Sequence, residues 1–467
     1  MHALLALLAL AATAPPPITL DEALAEAARA NSDLLLARHD AARAGVDTYA
    51  SYAGVLPRLD LNASFGHDFL GAQRIVQALP VAVTVNPVTG LLNPLTFQQE
   101  IVSIPAIDYA DYALGLTLAL PIFDGLRNWN TIHEAEAAER SAHKSVDEAL
   151  LTTAFETTRR FFEVLKAQES LRVLEETVAR SEQIVERARA LFEAGRGGRL
   201  DVLTAEGNLG HDRIAVAQGE AQLEFAGADL ASILGREATR PIAVVPPASV
   251  AGPVRPAALE PPAPEELLAL ARRERPLLAA RAESVRAAEA AESVARGGWY
   301  PVVGAQASYN RQGPTFSGSE GVYGDPTQQY TATAQIVVQW NLFNGRQTLA
   351  DEERAAIARR RSLTQAEQAE QQVSAEIARA RANLVSLGRS AVIAEGNLRA
   401  AEQGVSLAAD RLEAGLASQL EMRDASLKLT QARLDLLDAR IDEVVARADL
   451  NRAVGGQLAR THETPED

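Results

Sequence analysis

Residues 192–201 read Phe-Glu-Ala-Gly-Arg-Gly-Gly-Arg-Leu-Asp, and residues 412–421 read Leu-Glu-Ala-Gly-Leu-Ala-Ser-Gln-Leu-Glu. Both hold Glu-Ala-Gly, four variable positions, then leucine and a carboxylate, 220 residues apart. Phe123-Asp124-Gly125 returns at the same spacing as Phe343-Asn344-Gly345, and Leu234-Gly235 as Val454-Gly455. Further upstream, Gly54-Val55-Leu56-Pro57 matches Gly298-Trp299-Tyr300-Pro301, and Ala63-Ser64-Phe65 matches Ala307-Ser308-Tyr309. The chain is therefore a duplicated unit, and the fold must be read per unit.

Working outward from these turns, each unit carries two textures. The first is clean period-two alternation, the mark of strands. Leu59, Leu61, Ala63 and Phe65 oppose Asp60, Asn62 and Ser64; Tyr112, Leu114, Leu116, Leu118 and Leu120 oppose Ala113, Gly115, Thr117 and Ala119. In the second unit Val303, Ala305, Ala307 and Tyr309 oppose Gly304, Gln306, Ser308 and Asn310. Tyr330, Ala332, Ala334, Ile336, Val338, Trp340 and Leu342 oppose Thr331, Thr333, Gln335, Gln339 and Asn341, with Val337 the exception on that side. Segments of about ten residues suit tilted membrane-spanning strands. Aromatic rings gather at their ends, as in the interfacial girdle of an outer-membrane barrel.

A soluble antiparallel sheet would need a cover for its apolar face, and no other segment offers one. Four strands cannot close around water, and open edges are not tolerated in lipid. The smallest even-stranded membrane barrels need about eight strands. The chain must pool strands with copies of itself; two or three copies both satisfy this requirement.

The second texture is the heptad. Proline-free stretches of about 125–193 and 345–413 follow the second strand of each unit. In the later one Val373, Ala380, Leu387, Ala394, Ala401 and Ala408 interleave with Ile377, Leu384, Ala391, Leu398, Val405 and Leu412. The earlier one has Val164, Leu171, Val178, Val185 and Phe192 beside Ala167, Leu174, Ser181 and Ala188. Sustained heptads predict coiled-coil packing. At about 1.5 Å per residue each helix reaches roughly 100 Å. Each turns at its Glu-Ala-Gly tip and returns as a helix over about 200–235 or 420–455. A further helix precedes each first strand, over about 19–54 and 264–296. End to end, two short helices match one long one, so a tube walled by long helices and stacked short pairs is expected.

The chain is acidic, with a net charge of −16, which argues against nucleic acid as a partner. It has no cysteine, which excludes disulfides and thiolate metal sites. Residues 1–14, Met1 to Ala14, resemble an export signal without its basic start, with Pro15 just beyond the expected cut. With no cysteine at that cut, a lipid anchor is not expected. The reading gives an export signal over 1–14, repeat 1 over 15–240, a proline-rich linker over 241–263, repeat 2 over 264–456 and a disordered tail over 457–467. Loops of about 71–108 and 311–327 join the strands of each pair. The first carries no charge between Arg74 and Glu100; it is expected as a plain surface loop, with folding over the pore mouth the alternative.

Catalytic chemistry is not legible. The seven histidines are scattered, without metal-ligand spacing, so neither metal nor cofactor is expected. Gly195, Gly197 and Gly198 follow no strand and precede no Lys-Ser/Thr, so they read as a hairpin turn rather than a phosphate loop. An enzyme is not expected.

Ala194-Gly195 followed by Leu200-Asp201-Val202, and Ala414-Gly415 followed by Leu420-Glu421, together with the duplicated strand pairs and helix lengths, resemble the TolC-like outer-membrane efflux protein family over about residues 18–456. The resemblance implies a mixed α and transmembrane β fold: a homotrimer with a twelve-stranded β-barrel in the outer membrane of a Gram-negative bacterium, continued by an α-helical tunnel across the periplasm. It implies a passive duct whose tips dock a periplasmic adaptor protein and an inner-membrane pump. The docking positions would be Ala194, Gly195, Leu200, Ala414, Gly415 and Leu420. The family places acidic rings at the tunnel's closed end, and the matching positions are Asp201, Glu421 and Asp424. Glu421 and Asp424, at i and i+3, share a helical face; helix-starting acids favoured by the macrodipole are the alternative. Leu412 and Ala417 stand where the family can carry polar gating contacts, so closure is expected to rest on other links. The rival functions are a protein-secretion duct of the same architecture and a non-conducting periplasmic coiled-coil scaffold.

Overall fold

The computed structural model describes residues 17–80, 85–91, 97–247, 261–318, 320–323, 330–414 and 416–456. The expected export signal, the tail, most of the linker and Gly415 lie outside the described residues. Contacts divide the chain into two compact units, one of 1–48, 133–289 and 356–467, the other of 49–132 and 290–355. Both units draw segments from both sequence repeats.

The second unit holds the strands β1 (Arg58–Leu70), β2 (Gln73–Pro80), β3 (Phe97–Ile104), β4 (Ile107–Phe123), β5 (Val302–Gly313) and β6 (Tyr330–Gln339). Four form one antiparallel sheet in the order β1-β4-β5-β6, so the two repeats meet at β4 and β5. Register puts Leu61 opposite Leu116 and Leu116 opposite Tyr309, while Thr117 faces Asp60 and Ser308. One face is thus apolar and the other small and polar, as the alternation predicts. The apolar face is bare: Leu61 is 68% exposed and Ile336 70%. β6 ends at Gln339, paired with Val302, because its partner ends there. Trp340 and Leu342 accordingly leave the strand, and the Trp340 indole donates to the Trp299 carbonyl (3.2 Å).

The first strand-joining segment, expected as a plain loop, contains the β2-β3 ribbon. Paired neighbours such as Ile75-Val76 and Ile101-Val102 make both of its faces partly apolar and erase the period-two signal. β4 and β6 lead into the next helices through matched turns. Gly125 and Leu126 both take positive φ (74° and 64°), as do Gly345 and Arg346 (67° and 71°). Asp124 then caps the helix by accepting the Asn128 N–H (2.7 Å), and the Asn344 side chain accepts that of Thr348 (3.4 Å).

The first unit is helical. α1 (Leu20–Ala30) and α2 (Ser32–Ser51) replace the single expected helix, and α5 (Pro264–Glu274) and α6 (Pro276–Arg296) replace its counterpart. The long helices are α3 (Arg127–Glu193) and α7 (Gln347–Glu413), returning as α4 (Arg199–Ile233) and α8 (Gln419–Ala453). The breaks have a shared cause. Asn31 and Arg275 take extended backbone (ψ 126° and 115°), the latter imposed by Pro276. Each reaches the end of a return helix. The Asn31 amide donates to the Ile233 carbonyl (3.4 Å), and Arg275 donates to those of Arg452 (3.0 Å) and Ala453 (2.9 Å). These bonds satisfy terminal carbonyls that a helix leaves open. Arg275 is 2% exposed, and Glu148, 2.7 Å away, balances its charge.

The largest core gathers Ala23 and Ala27, Phe161 and Phe162, Leu230 and Leu234, Ile242, Val244 and Ile441. Burying a phenylalanine contributes about 1.5–3 kcal/mol, and Phe161 and Phe162 pack edge to face at 5.6 Å. Among the described residues no helix is long and apolar enough to cross a membrane.

Candidate functional site

The tips are built by helix endings. α3 stops because Gly195 turns to φ +69°, with its N–H on the Phe192 carbonyl (2.9 Å) and that of Arg196 on Leu191 (2.8 Å). This is the glycine C-cap that closes free carbonyls. At the second tip Leu416 N–H reaches the Arg411 carbonyl (2.8 Å), the same bond one repeat later. α4 and α8 restart with N-caps. The Asp201 carboxylate accepts the Gly198 N–H (3.0 Å), and the Ser418 hydroxyl accepts that of Glu421 (3.3 Å). Asp201 therefore has a local structural role at the start of α4.

The expected docking residues Leu200 and Leu420 are each 74% exposed. They come together: with Asp201, Ile184, Ala188 and Thr204 they line a cavity of about 240 Å³. The expected ring acids are exposed but engaged. Glu421 lies 3.8 Å from Arg411, and Asp424 2.7 Å from Lys428. Ala194 and Ala414 continue the helical bonding, to the carbonyls of Ala190 and Asp410 (both 3.0 Å).

Sequence reading missed the most connected group at this end. Arg423 of α8 donates to both Asp212 oxygens (2.7 and 2.8 Å) and to the Ser181 hydroxyl (3.1 Å), which itself donates to Asp212 (2.5 Å). The Asp212 side chain is 7% exposed and that of Arg423 11%. Burial pushes the Asp212 carboxyl up, but hydrogen bonds from Arg423 and Ser181 outweigh it and hold the group below the usual carboxylate range. The signal was present: Asp212 shares a heptad position with Ala205, Gly219 and Ala226, and Ser181 stands in the α3 seam. A polar residue in an apolar seam specifies a partner. One network thus ties α3, α4 and α8 beside the tip cavity. Among the described residues no cluster of His, Asp and Glu could hold a metal.

This architecture has known counterparts. A family model, outer membrane efflux protein, matches residues 23–236 and 267–456, one stretch in each repeat. The chain belongs to the outer membrane efflux protein family. Outer membrane protein OprJ of Pseudomonas aeruginosa is 28% identical over 214 residues, which cover 44% of this chain and 36% of that protein. The chain thus matches little more than a third of that relative's length. Two solved folds are similar: CusC, in a study of transmembrane channel formation (TM-score 0.75, 19% identity, 94% of this chain and 92% of that one), and the open outer-membrane channel MtrE of Neisseria gonorrhoeae (0.74, 18%, 94% and 89%). Outer membrane efflux proteins are transport proteins rather than enzymes, and this one carries their helical and β parts.

Proposed function

We propose that the protein is a homotrimeric outer-membrane duct, passive in itself, that receives its substrates from an inner-membrane pump through a periplasmic adaptor. The observation that carries this reading is the β1-β4-β5-β6 sheet, apolar on one side, polar on the other, and open at both edges. In lipid those edges must be paired. Three copies supply twelve strands, within the range of membrane barrels, and turn the Asn62, Thr117, Ser308 and Thr333 face onto water. The cavity between Leu200 and Leu420 is an apolar socket at the tips, suited to a helical hairpin of the adaptor. Asp201, Glu421 and Asp424 supply carboxylates around the threefold axis, and the Arg423-Asp212-Ser181 network fixes α3, α4 and α8 relative to one another beside them.

The test is reconstitution of the purified protein into planar bilayers, with electrophoresis of unheated samples. Discrete conductance steps from an SDS-resistant trimer are expected. A trimer that never conducts would overturn the duct and favour a scaffold. Crosslinking in cells, followed by identification of the co-purified proteins, is expected to return one adaptor and one pump.

A further inference from the structure

β2 and β3 extend a pairing that never loses register. Leu70 faces Ile107 at the end of the β1-β4 pair, and Gln73 faces Ile104 at the start of the β2-β3 pair, with two residues between them on each side. β4 gains β5 only from Tyr112, opposite Gly313. Beyond Tyr112 the chain therefore runs as a two-stranded ribbon to the Pro80–Phe97 pair, as much as about 50 Å of it at about 3.3 Å per residue.

Unbroken register means unbroken facing. The polar side of the sheet, with Asn62 opposite Gly115 and Ser64 opposite Ala113, continues as Leu70 opposite Ile107 and Arg74 opposite Ser103, then Val76 opposite Ile101, Ala78 opposite Gln99 and Pro80 opposite Phe97. Beyond Arg74 the polar face has turned largely apolar. Val76 is 61% exposed, Ile101 66% and Phe97 62%. The opposite side alternates Gln73, Gln77, Gln98 and Glu100 with Ile75, Leu79, Val102 and Ile104, and holds the charge of Glu100. An isolated two-stranded ribbon is at best marginally stable in water, and an apolar face beyond a membrane barrel needs a partner.

We infer that the partner is the same face of the other two copies: the three ribbons pack Val76, Ile101 and Phe97 against one another across the trimer axis and narrow the outer mouth. This rests on the trimeric duct proposed above. Three features favour it. The inward side in such a barrel is the one that becomes apolar. Beyond the Arg74–Ser103 pair this face carries no charge, so identical surfaces meet there without repulsion. The free edge of β1, which ring closure joins to another copy, runs on into β2, so neighbouring ribbons start from a shared interface.

The chain has no cysteine, so single cysteines report cleanly. Ile101→Cys, on the inward side, and Gln77→Cys, on the outward side, are treated in cells with a short bis-maleimide. Ile101→Cys is expected to give crosslinked dimers within the trimer, and Gln77→Cys is not. In bilayers Val76→Asp with Ile101→Asp is expected to raise single-channel conductance about twofold or more, as an apolar constriction is wetted. Phe97→Ser, a milder change, is expected to move it the same way. Equal crosslinking at the two sites, or unchanged conductance in variants that still form SDS-resistant trimers, would overturn the ribbon contact while leaving the duct intact. A wild-type protein that forms no trimer would instead sink the duct, and this inference with it.

Discussion

Arg423→Ala removes the cation from a carboxylate that remains buried. Asp212 keeps only the Ser181 hydroxyl, and its side chain is 7% exposed. Removing one partner of a buried pair costs about 3–5 kcal/mol. At about 1.4 kcal/mol per tenfold, the helices at this end should open roughly a hundred to a few thousand times more often. Hydrogen exchange read by mass spectrometry resolves such local opening. Peptides covering 200–212 and 419–430 should lose protection, while those around Phe161 and Phe162, in a separate core, should not. The double variant Arg423→Ala with Asp212→Ala leaves no orphan charge, and should recover most of the protection. Acid should act through the same pair. The Asp212 carboxyl lies below its usual range, so its stabilisation is complete above the ordinary carboxylate pKa and is lost as pH falls through the depressed value. Wild type should therefore approach the Arg423→Ala behaviour only below about pH 4. If Arg423→Ala exchanges within about threefold of wild type, or if the two single effects simply add, the network holds nothing and the reasoning fails.

The strand faces make a second prediction: Leu116→Arg and Ile336→Arg should cost about 2–4 kcal/mol if near the bilayer midplane and reduce assembled trimer, whereas Thr117→Arg and Gln335→Arg should assemble and alter conductance. Gly195→Val meets nothing within 4 Å but must hold φ +69°, a conformational cost of about 1–3 kcal/mol; adaptor crosslinking and export should weaken while trimer yield on unheated gels is kept. Glu421→Ala with Asp424→Ala should lower cation preference, measured as reversal potential under a salt gradient, and weaken block by multivalent cations, because acidic rings favour cations; an unchanged reversal potential would return both residues to the role of solvated acids paired with Arg411 and Lys428.

Much of the architecture is a matter of period, and period is written in the chain. The alternation at 59–65, 112–120, 303–310 and 330–342 fixes which residues share a face of the sheet, because successive strand side chains point to opposite sides, although the last strand stops at Gln339. The heptads and the Glu-Ala-Gly turns fix two long helices and their returns, because a helix ends where glycine can take positive φ and close its last carbonyls. The open-edged, two-faced sheet follows from those local rules, and with it the need for other copies. What tertiary structure alone decided is pairing over distance. Asn31 and Arg275 break helices that look continuous, because each is drawn to the carbonyl end of a return helix far along the chain. Arg423 finds Asp212 across 211 residues; a seam position announces that a polar residue needs a partner but not which one, since that depends on which helices the fold lays side by side. The β2-β3 ribbon was hidden for the opposite reason: both of its faces mix apolar and polar residues, and only the register it inherits from β1 and β4 says which face is which.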